Sequence, residues 1–310
     1  MTTPLPPAGL LLRSPASECG ERVFLVEGGR RHWVRDGEWI YKHGFRWPED
    51  VFDVEPETLY SFANSSAAPV RTAEDLDQLG DAMTSTDMRE IAAAKLRGTG
   101  MEFGAGASPY PVPLHCEVRY ADPFSYEALR ASLYPGQTLN QVVRPDYVTD
   151  LQTLDGVADQ SLDFIVACHV IEHTVSPITA IKSCHRALKP GGSLVLVVPD
   201  MEKTFDRERE LTPLSHLIED ERNPSRGRDR RHFEEFYTKV FPLPDPSGVR
   251  QHAADKHRQG TDIHYHCWTY ESFSAMVGWI SDDGTPWSAI WSHPALPGAE
   301  NIEFYFVLVK

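Results

Sequence analysis

The chain has 310 residues, with 45 acidic against 30 basic side chains and a formal net charge of -15. That balance argues against nucleic-acid and anionic-membrane partners, whose surfaces demand clustered Lys and Arg, and the length bounds the chain to one large or two unequal domains with ample core. Five cysteines without short paired spacings fit reduced thiols better than a disulfide framework. The N-terminal MTTPLPPAGLLLR has no basic region before an apolar core, and no apolar run approaches the roughly 18 residues of a membrane span. The expectation is a cytoplasmic protein, neither exported nor inserted in a membrane.

Residues 1–20 are rich in proline and read as a mobile tail. From Glu21, ERVFLVEGGRRHWVRD carries two alternating strands around Gly28-Gly29, a hairpin signal. A short amphipathic piece with Trp39, Ile40 and His43 follows, and residues 51–60 read as extended. Residues 21–62 thus read as a small β-rich module, which loosely resembles modules appended to bacterial surface-polysaccharide proteins. Trp33, Trp39 and Trp47 are either its core or a carbohydrate-stacking face. Residues 63–75, ANSSAAPVRTAED, read as a linker. Residues 75–96 read as a helix, with Leu76, Leu79, Met83, Met88, Ile91 and Ala94 at helical spacing.

The stretch LRGTGMEFGAGASPYPVPLHCEVRYAD, residues 96–122, reads as strand, glycine turn, short helix, strand. Gly104 and Gly106 lack a Cβ, so they permit positive φ and close approach of a ligand to the main chain. Asp122, about 20 residues after the glycines, suits the two hydroxyls of a ribose. The third glycine of the dinucleotide fingerprint is missing and prolines follow, which favours a nucleoside over a pyrophosphate. Taken alone, the turn also reads as an ordinary one.

Residues 163–167 form an apolar, β-branched run suited to a buried parallel strand. A helix over 171–188 follows, with Pro177 near its start and Lys189-Pro190-Gly191-Gly192 as its stop. Residues 193–198 are the next strand, with Asp200 just beyond it. Residues 269–280 read as the last helix, and 287–293 and 302–309 as a closing hairpin.

In series, EFGAGAS, Asp122, DLQTL, DFIVACHVIEH and LKPGGSLVLVVPD resemble a class I S-adenosylmethionine-dependent methyltransferase. The resemblance implies an α/β fold: a Rossmann-like seven-stranded sheet, its last strand antiparallel, with helices on both faces, plus the small N-terminal β-rich module. It makes residues 76–310 the methyltransferase domain, with a lid insertion at 201–263. It also implies S-adenosyl-L-methionine as cofactor. The backbone of Gly104, Ala105 and Gly106, behind Glu102, would face the methionine part, and Asp122 would bind the ribose. Asp150 and the main-chain NH of Leu151 would read the adenine, and His169 would stand near the sulfonium. Glu102 departs from the Asp often found there, and the prolines of ASPYPVP depart from the usual helix.

Methyl transfer requires alignment of nucleophile, methyl and sulfur in a dry pocket, and a hydroxyl acceptor also needs a base or metal. Candidates lie in the insertion, where roughly 70 residues separate the fifth strand from the final helix. His216 and Asp220 are i,i+4, and His232 and Glu235 are i,i+3. Asp262, His264 and His266 alternate on an extended segment and are expected to point one way. His216, Asp220, His232, His264 and His266 are therefore candidate ligands of a divalent metal, and His169, His216 and His264 are catalytic candidates. A hydrogen-bonded network locking the insertion is the third reading of the same residues. Glu172 and His173 are assigned to ordering the loop after the fourth strand, and the basic run 226–231 to a solvated or anion-contacting loop.

The expected activity is methylation of a small polar acceptor, a hydroxyl of a sugar or secondary metabolite, with metal assistance an option and a homo-oligomer allowed. Aminocarboxypropyl transfer or cyclisation releasing methylthioadenosine is one alternative. A non-catalytic partner subunit is another.

Overall fold

The computed structural model describes residues 10–17, 20–27, 30–34, 40, 45–61, 63–65, 84–113, 116–133, 142–241 and 246–310. Two compact units divide the chain, residues 1–81 with 89–148 and residues 82–88 with 149–310.

In the first unit, β1 (Leu10–Ser14), β2 (Gly20–Glu27), β3 (Arg30–Val34), β4 (Val51–Asp53) and β5 (Ala63–Ser65) form a sheet in the order β4-β1-β2-β3-β5. β2 and β3 are antiparallel with Glu27 opposite Arg30, which is the expected hairpin, although Gly28 and Gly29 lie outside the described residues. The reading of residues 1–20 as a tail is corrected from Leu10 onward. Leu11 is buried among Val23, Leu25 and Phe45, and Leu12 among Phe24, Val26 and Leu59, so the two leucines fill opposite faces of the sheet.

Residues 51–60 are not extended throughout, because helix α1 (Pro56–Tyr60) follows β4. Proline at the first helical position costs no hydrogen bond and presets φ. Neither Trp33 nor Trp47 forms the core, which among the described residues is largely aliphatic: Trp33 packs at its margin with the Arg22 guanidinium 4.3 Å from its ring, and Trp47 is 39% exposed. Trp39, His43 and linker residues 66–75 lie outside the described residues. Of the helix expected over 75–96, α2 (Ser85–Ala93) is described.

The larger sheet has seven strands. β6 (Thr99–Phe103), β7 (Glu117–Asp122) and β8 (Tyr147–Val148) run parallel in the first unit. The second unit contributes β9 (Leu162–Cys168) and, after helix α3 (Pro177–Ala187), β10 (Leu188–Pro199). Three helices then occupy the insertion: α4 (Leu214–Arg222), α5 (Arg226–Lys239) and α6 (Val249–Arg258). Helix α7 (Tyr270–Asp282) and strands β11 (Ala289–His293) and β12 (Glu303–Val309) complete the chain. The order is β11-β12-β10-β9-β6-β7-β8, with β12 antiparallel to both neighbours.

Phe164, Ile165, Val166 and Ala167 of β9 and Leu194 to Val198 of β10 have no exposed surface, as a sheet covered on both faces requires. Gly192 is needed where β10 resumes, since a Cβ there would stand 2.9 Å from the carbonyl oxygen of Lys189.

Three local expectations are corrected. Between β6 and β7 the described residues form no helix, because Pro109, Pro111 and Pro113 remove amide donors. That loop is instead tied back by the amide of Tyr110 donating to Glu102 Oε1 at 2.7 Å and its hydroxyl donating to the Arg89 carbonyl at 2.9 Å. The helix expected over 171–188 splits into a single 3-10 turn, Ile171–His173, and α3 with Pro177 in its first turn. The basic run 226–231 opens α5 instead of a loop, consistent with the helix propensity of arginine and with Arg230 facing Glu234 at 3.3 Å one turn on.

Among the described residues no helix is long and apolar enough to cross a membrane. Helix α7 carries a capping box: Thr269 accepts from the Ser272 amide, and Ser272 Oγ accepts from the Thr269 amide at 3.0 Å. Replacing Thr269 with Ala is expected to cost about 1 kcal/mol. Urea unfolding of the variant should show a lower midpoint at unchanged slope, and an unchanged midpoint would show the cap to be dispensable.

Candidate active site

In the first unit, the glycine turn follows β6 directly. Gly104 (φ 66) and Gly106 (φ 50) are both left-handed, a conformation that favours glycine, with Ala105 buried between them. The Gly104 amide donates to Ala121 at 3.0 Å, and the Gly106 carbonyl accepts from Val143 at 2.7 Å, so the turn is bound at both ends. Asp122 ends β7, 6% exposed, with Oδ1 accepting from the Phe124 amide at 2.9 Å. The glycine turn and the acid at the next strand's end thus follow one another as the sequence pattern predicts.

In the second unit, Asp150 forms an Asx turn by accepting from the Gln152 amide at 2.6 Å, and Leu151 beside it is buried. His169 follows the end of β9 with φ 53. A left-handed backbone costs a non-glycine residue about 1–2 kcal/mol, which is consistent with selection of the histidine for its side chain. Its Nε2 lies 2.7 Å from Glu303 Oε2 and its Nδ1 3.7 Å from Glu172 Oε1.

Glu172 has no exposed surface, and neither carboxylate oxygen makes a hydrogen bond. Its second ionic neighbour is His173 Nε2 at 3.9 Å, while His173 Nδ1 is 2.8 Å from Asp262 Oδ1. The rings of His173 and His264 meet edge to face, with centroids 4.8 Å apart. Nδ1 of His264 is 2.6 Å from Asp206 Oδ2. Three histidines thus each have one ring nitrogen held by a carboxylate: His169 by Glu303, His173 by Asp262, and His264 by Asp206.

Burial pushes the Asp206 carboxyl up, but the His264 hydrogen bond and then Arg209 overcome it and hold the pKa below the ordinary value. Arg209 is itself buried and donates to Asp206, Glu235 and the carbonyls of His264 and Tyr265. Glu235, paired by spacing with His232 in the sequence, faces Arg209 instead.

The five candidate metal ligands do not all meet. His216, Asp220, His232 and His266 converge, with ligand atoms all within 4.8 Å of one another. His264 joins Glu172 and His173, and His216 is grouped apart from the other two catalytic candidates, His169 and His264. The segment 261–269 is not a regular strand, so Asp262, His264 and His266 do not share one face as alternation predicts. Spacing offered no sign of the buried acids Asp206 and Glu303. Glu172 and His173 lie in the CHVIEHT stretch, whose sequence points only to an ordering of the loop.

Residues 101–196 match the family model described as "Methyltransferase domain". The match identifies a methyltransferase domain over that stretch of the chain. No protein of curated function matches the sequence. Among solved structures, the chain is similar to the CurJ carbon methyltransferase (17% identity over 72% of this chain and 53% of that one, TM-score 0.39). It is likewise similar to the citrinin polyketide synthase CMeT domain (14%, 68% and 46%, TM-score 0.36). A third is a Thermotoga maritima SAM-dependent methyltransferase described as a possible histamine N-methyltransferase (15%, 76% and 95%, TM-score 0.40). The chain spans about half the length of the first two.

Burial pulls the pKa of His173 down, but the Asp262 hydrogen bond and the charges of Glu172 and Asp262 outweigh it, leaving a value of about 9. A raised folded-state pKa contributes stability that is fully present below about pH 6.5 and lost as pH rises through about 9. Asp262→Asn should move the His173 titration, followed by NMR, toward about 6.5. A wild-type His173 titrating near its ordinary value would contradict this.

Proposed function

We propose that the protein transfers a methyl group from S-adenosylmethionine to a hydroxyl of a small polar acceptor, a sugar or a secondary metabolite, with His264 as the base. The observation that carries this reading is the His264–Asp206 pair, 2.6 Å apart, with Asp206 buried and His264 half-buried. A carboxylate on one ring nitrogen fixes the tautomer and leaves the other to accept a proton, the arrangement that hydroxyl activation calls for.

The cofactor supplies a methyl carbon activated by sulfonium. By the family resemblance, Glu102, Gly104, Ala105, Gly106 and Asp122 would hold its methionine and ribose, Asp150 and Leu151 would read its adenine, and His169 would border the reacting end. The second ring nitrogen of His264 would take the proton of the acceptor hydroxyl, leaving the oxygen to accept the methyl group that the cofactor would supply, with the carbon–sulfur electron pair staying on sulfur. Asp206, held ionised beside Arg209, stabilises the imidazolium that forms. His169, pinned by Glu303, positions the acceptor. A divalent metal enters this reading as a support of the inserted helices and not as the acid that activates the hydroxyl.

Turnover of a panel of sugars and hydroxylated metabolites should release S-adenosylhomocysteine. His264→Ala should lower kcat by about 10²- to 10⁴-fold at nearly unchanged cofactor affinity. His169→Asn, which tolerates the left-handed backbone, should raise KM for the acceptor. Full turnover by His264→Ala, or methylthioadenosine as the nucleoside product, would contradict the reading.

A further inference from the structure

Apart from the His169, His173 and His264 pairs, four side chains from three segments converge within the second unit. His216 and Asp220 stand one turn apart on α4, His232 projects from α5, and His266 comes from the extended segment before α7. Asp220 Oδ2 lies 3.0 Å from His216 Nε2, 3.4 Å from His232 Nε2 and 3.6 Å from His266 Nε2. The Nε2 atoms of His216 and His232 are 2.9 Å apart. Asp220, His232 and His266 are buried, and His216 is partly exposed at the rim.

These separations bracket the edge of a small coordination tetrahedron. Zinc–nitrogen and zinc–oxygen bonds of about 2.0–2.2 Å imply ligand atoms about 3.3–3.6 Å apart. We propose that His216, Asp220, His232 and His266 bind one divalent transition-metal ion, zinc by preference, as a closed structural site that fastens α4 and α5 to the segment 261–269.

The donor set decides the class of ion. Three imidazoles and one carboxylate oxygen suit zinc and its neighbours, whereas calcium and magnesium require six or more oxygens or retained waters. Four protein ligands leave no open position, the mark of a structural rather than a catalytic zinc. The charges agree, since the single carboxylate offsets half of a divalent charge and the imidazoles must be neutral to coordinate.

A hydrogen-bonded cluster accounts less well for the same positions. Only one proton can lie between His216 and His232, while His266 Nε2 also stands 3.1 Å from the carbonyl oxygen of Val175, a contact that coordination would replace. The ion would act on the reaction only indirectly: His264 is two residues before His266 on the same segment, and Asp262, which holds His173, is two before that. The site goes beyond the methyl-transfer reading, and its test does not depend on that reading.

The test is metal analysis of the full chain, purified without a polyhistidine tag or chelator. About one zinc per chain should survive dialysis, and cobalt exchanged into the site should show the intense visible bands of tetrahedral coordination. Stripping with a chelator should lower Tm, and zinc add-back should restore it. His216→Ala, at the exposed rim, and Asp220→Asn should lose the metal, whereas His264→Ala should retain it. A folded wild-type chain that neither retains zinc nor gains Tm on zinc addition would overturn the proposal. So would loss of metal from His264→Ala as complete as from His216→Ala, or an octahedral cobalt spectrum.

Discussion

The carboxyl group of Glu172 is cut off from solvent in the turn after β9, with His169 and His173 as its ionic neighbours. A buried charge is tolerated only when opposite charge or hydrogen bonds compensate it. His169 and His173 face it, and Asp262 holds His173 charged across the neutral pH range. The Glu172 carbonyl also accepts from the Tyr265 amide at 2.8 Å, which ties the turn to the segment carrying His264 and His266. One short turn thus links the sheet to the insertion.

That linkage explains how an insertion lacking a large core of its own can present side chains in fixed positions. Its apolar cluster is built from Phe233, Phe236, Tyr237, Val249, Ala253 and Ile263. Polar ties supply the rest: Arg209 binds Asp206, Glu235 and two carbonyls from within the interior. Such networks stabilise only when every member is satisfied, so they define one geometry more sharply than an apolar contact would. Proton transfer benefits directly, because small displacements of a base cost large factors in rate.

The sheet was legible because its signals are local. The β-branched runs of β9 and β10, the two left-handed glycines and the closing hairpin can each be recognised within a few residues, and their series identifies the fold. His216 and Asp220 were likewise legible, since helical spacing places them on one face. Convergence of His232 and His266 with them was not, because it depends on how α5 and an irregular segment return to α4. His264 falls outside that cluster for the same reason: alternation holds in a strand, and residues 261–269 follow no regular period. Glu303 lies 134 residues from His169, and no spacing rule spans that distance. Prolines overrode the expected helix after β6, while apolar packing on both sheet faces turned the tail from Leu10 into a strand.

The proposed chemistry depends on binding of the methyl donor at the glycine turn and Asp122. Calorimetric titration of the full chain with S-adenosylhomocysteine measures that binding. Micromolar affinity is expected, about -8 kcal/mol, with the heat abolished by Asp122→Ala while the variant keeps its wild-type Tm. Absence of binding to both S-adenosylhomocysteine and S-adenosylmethionine by the folded wild-type chain would contradict it.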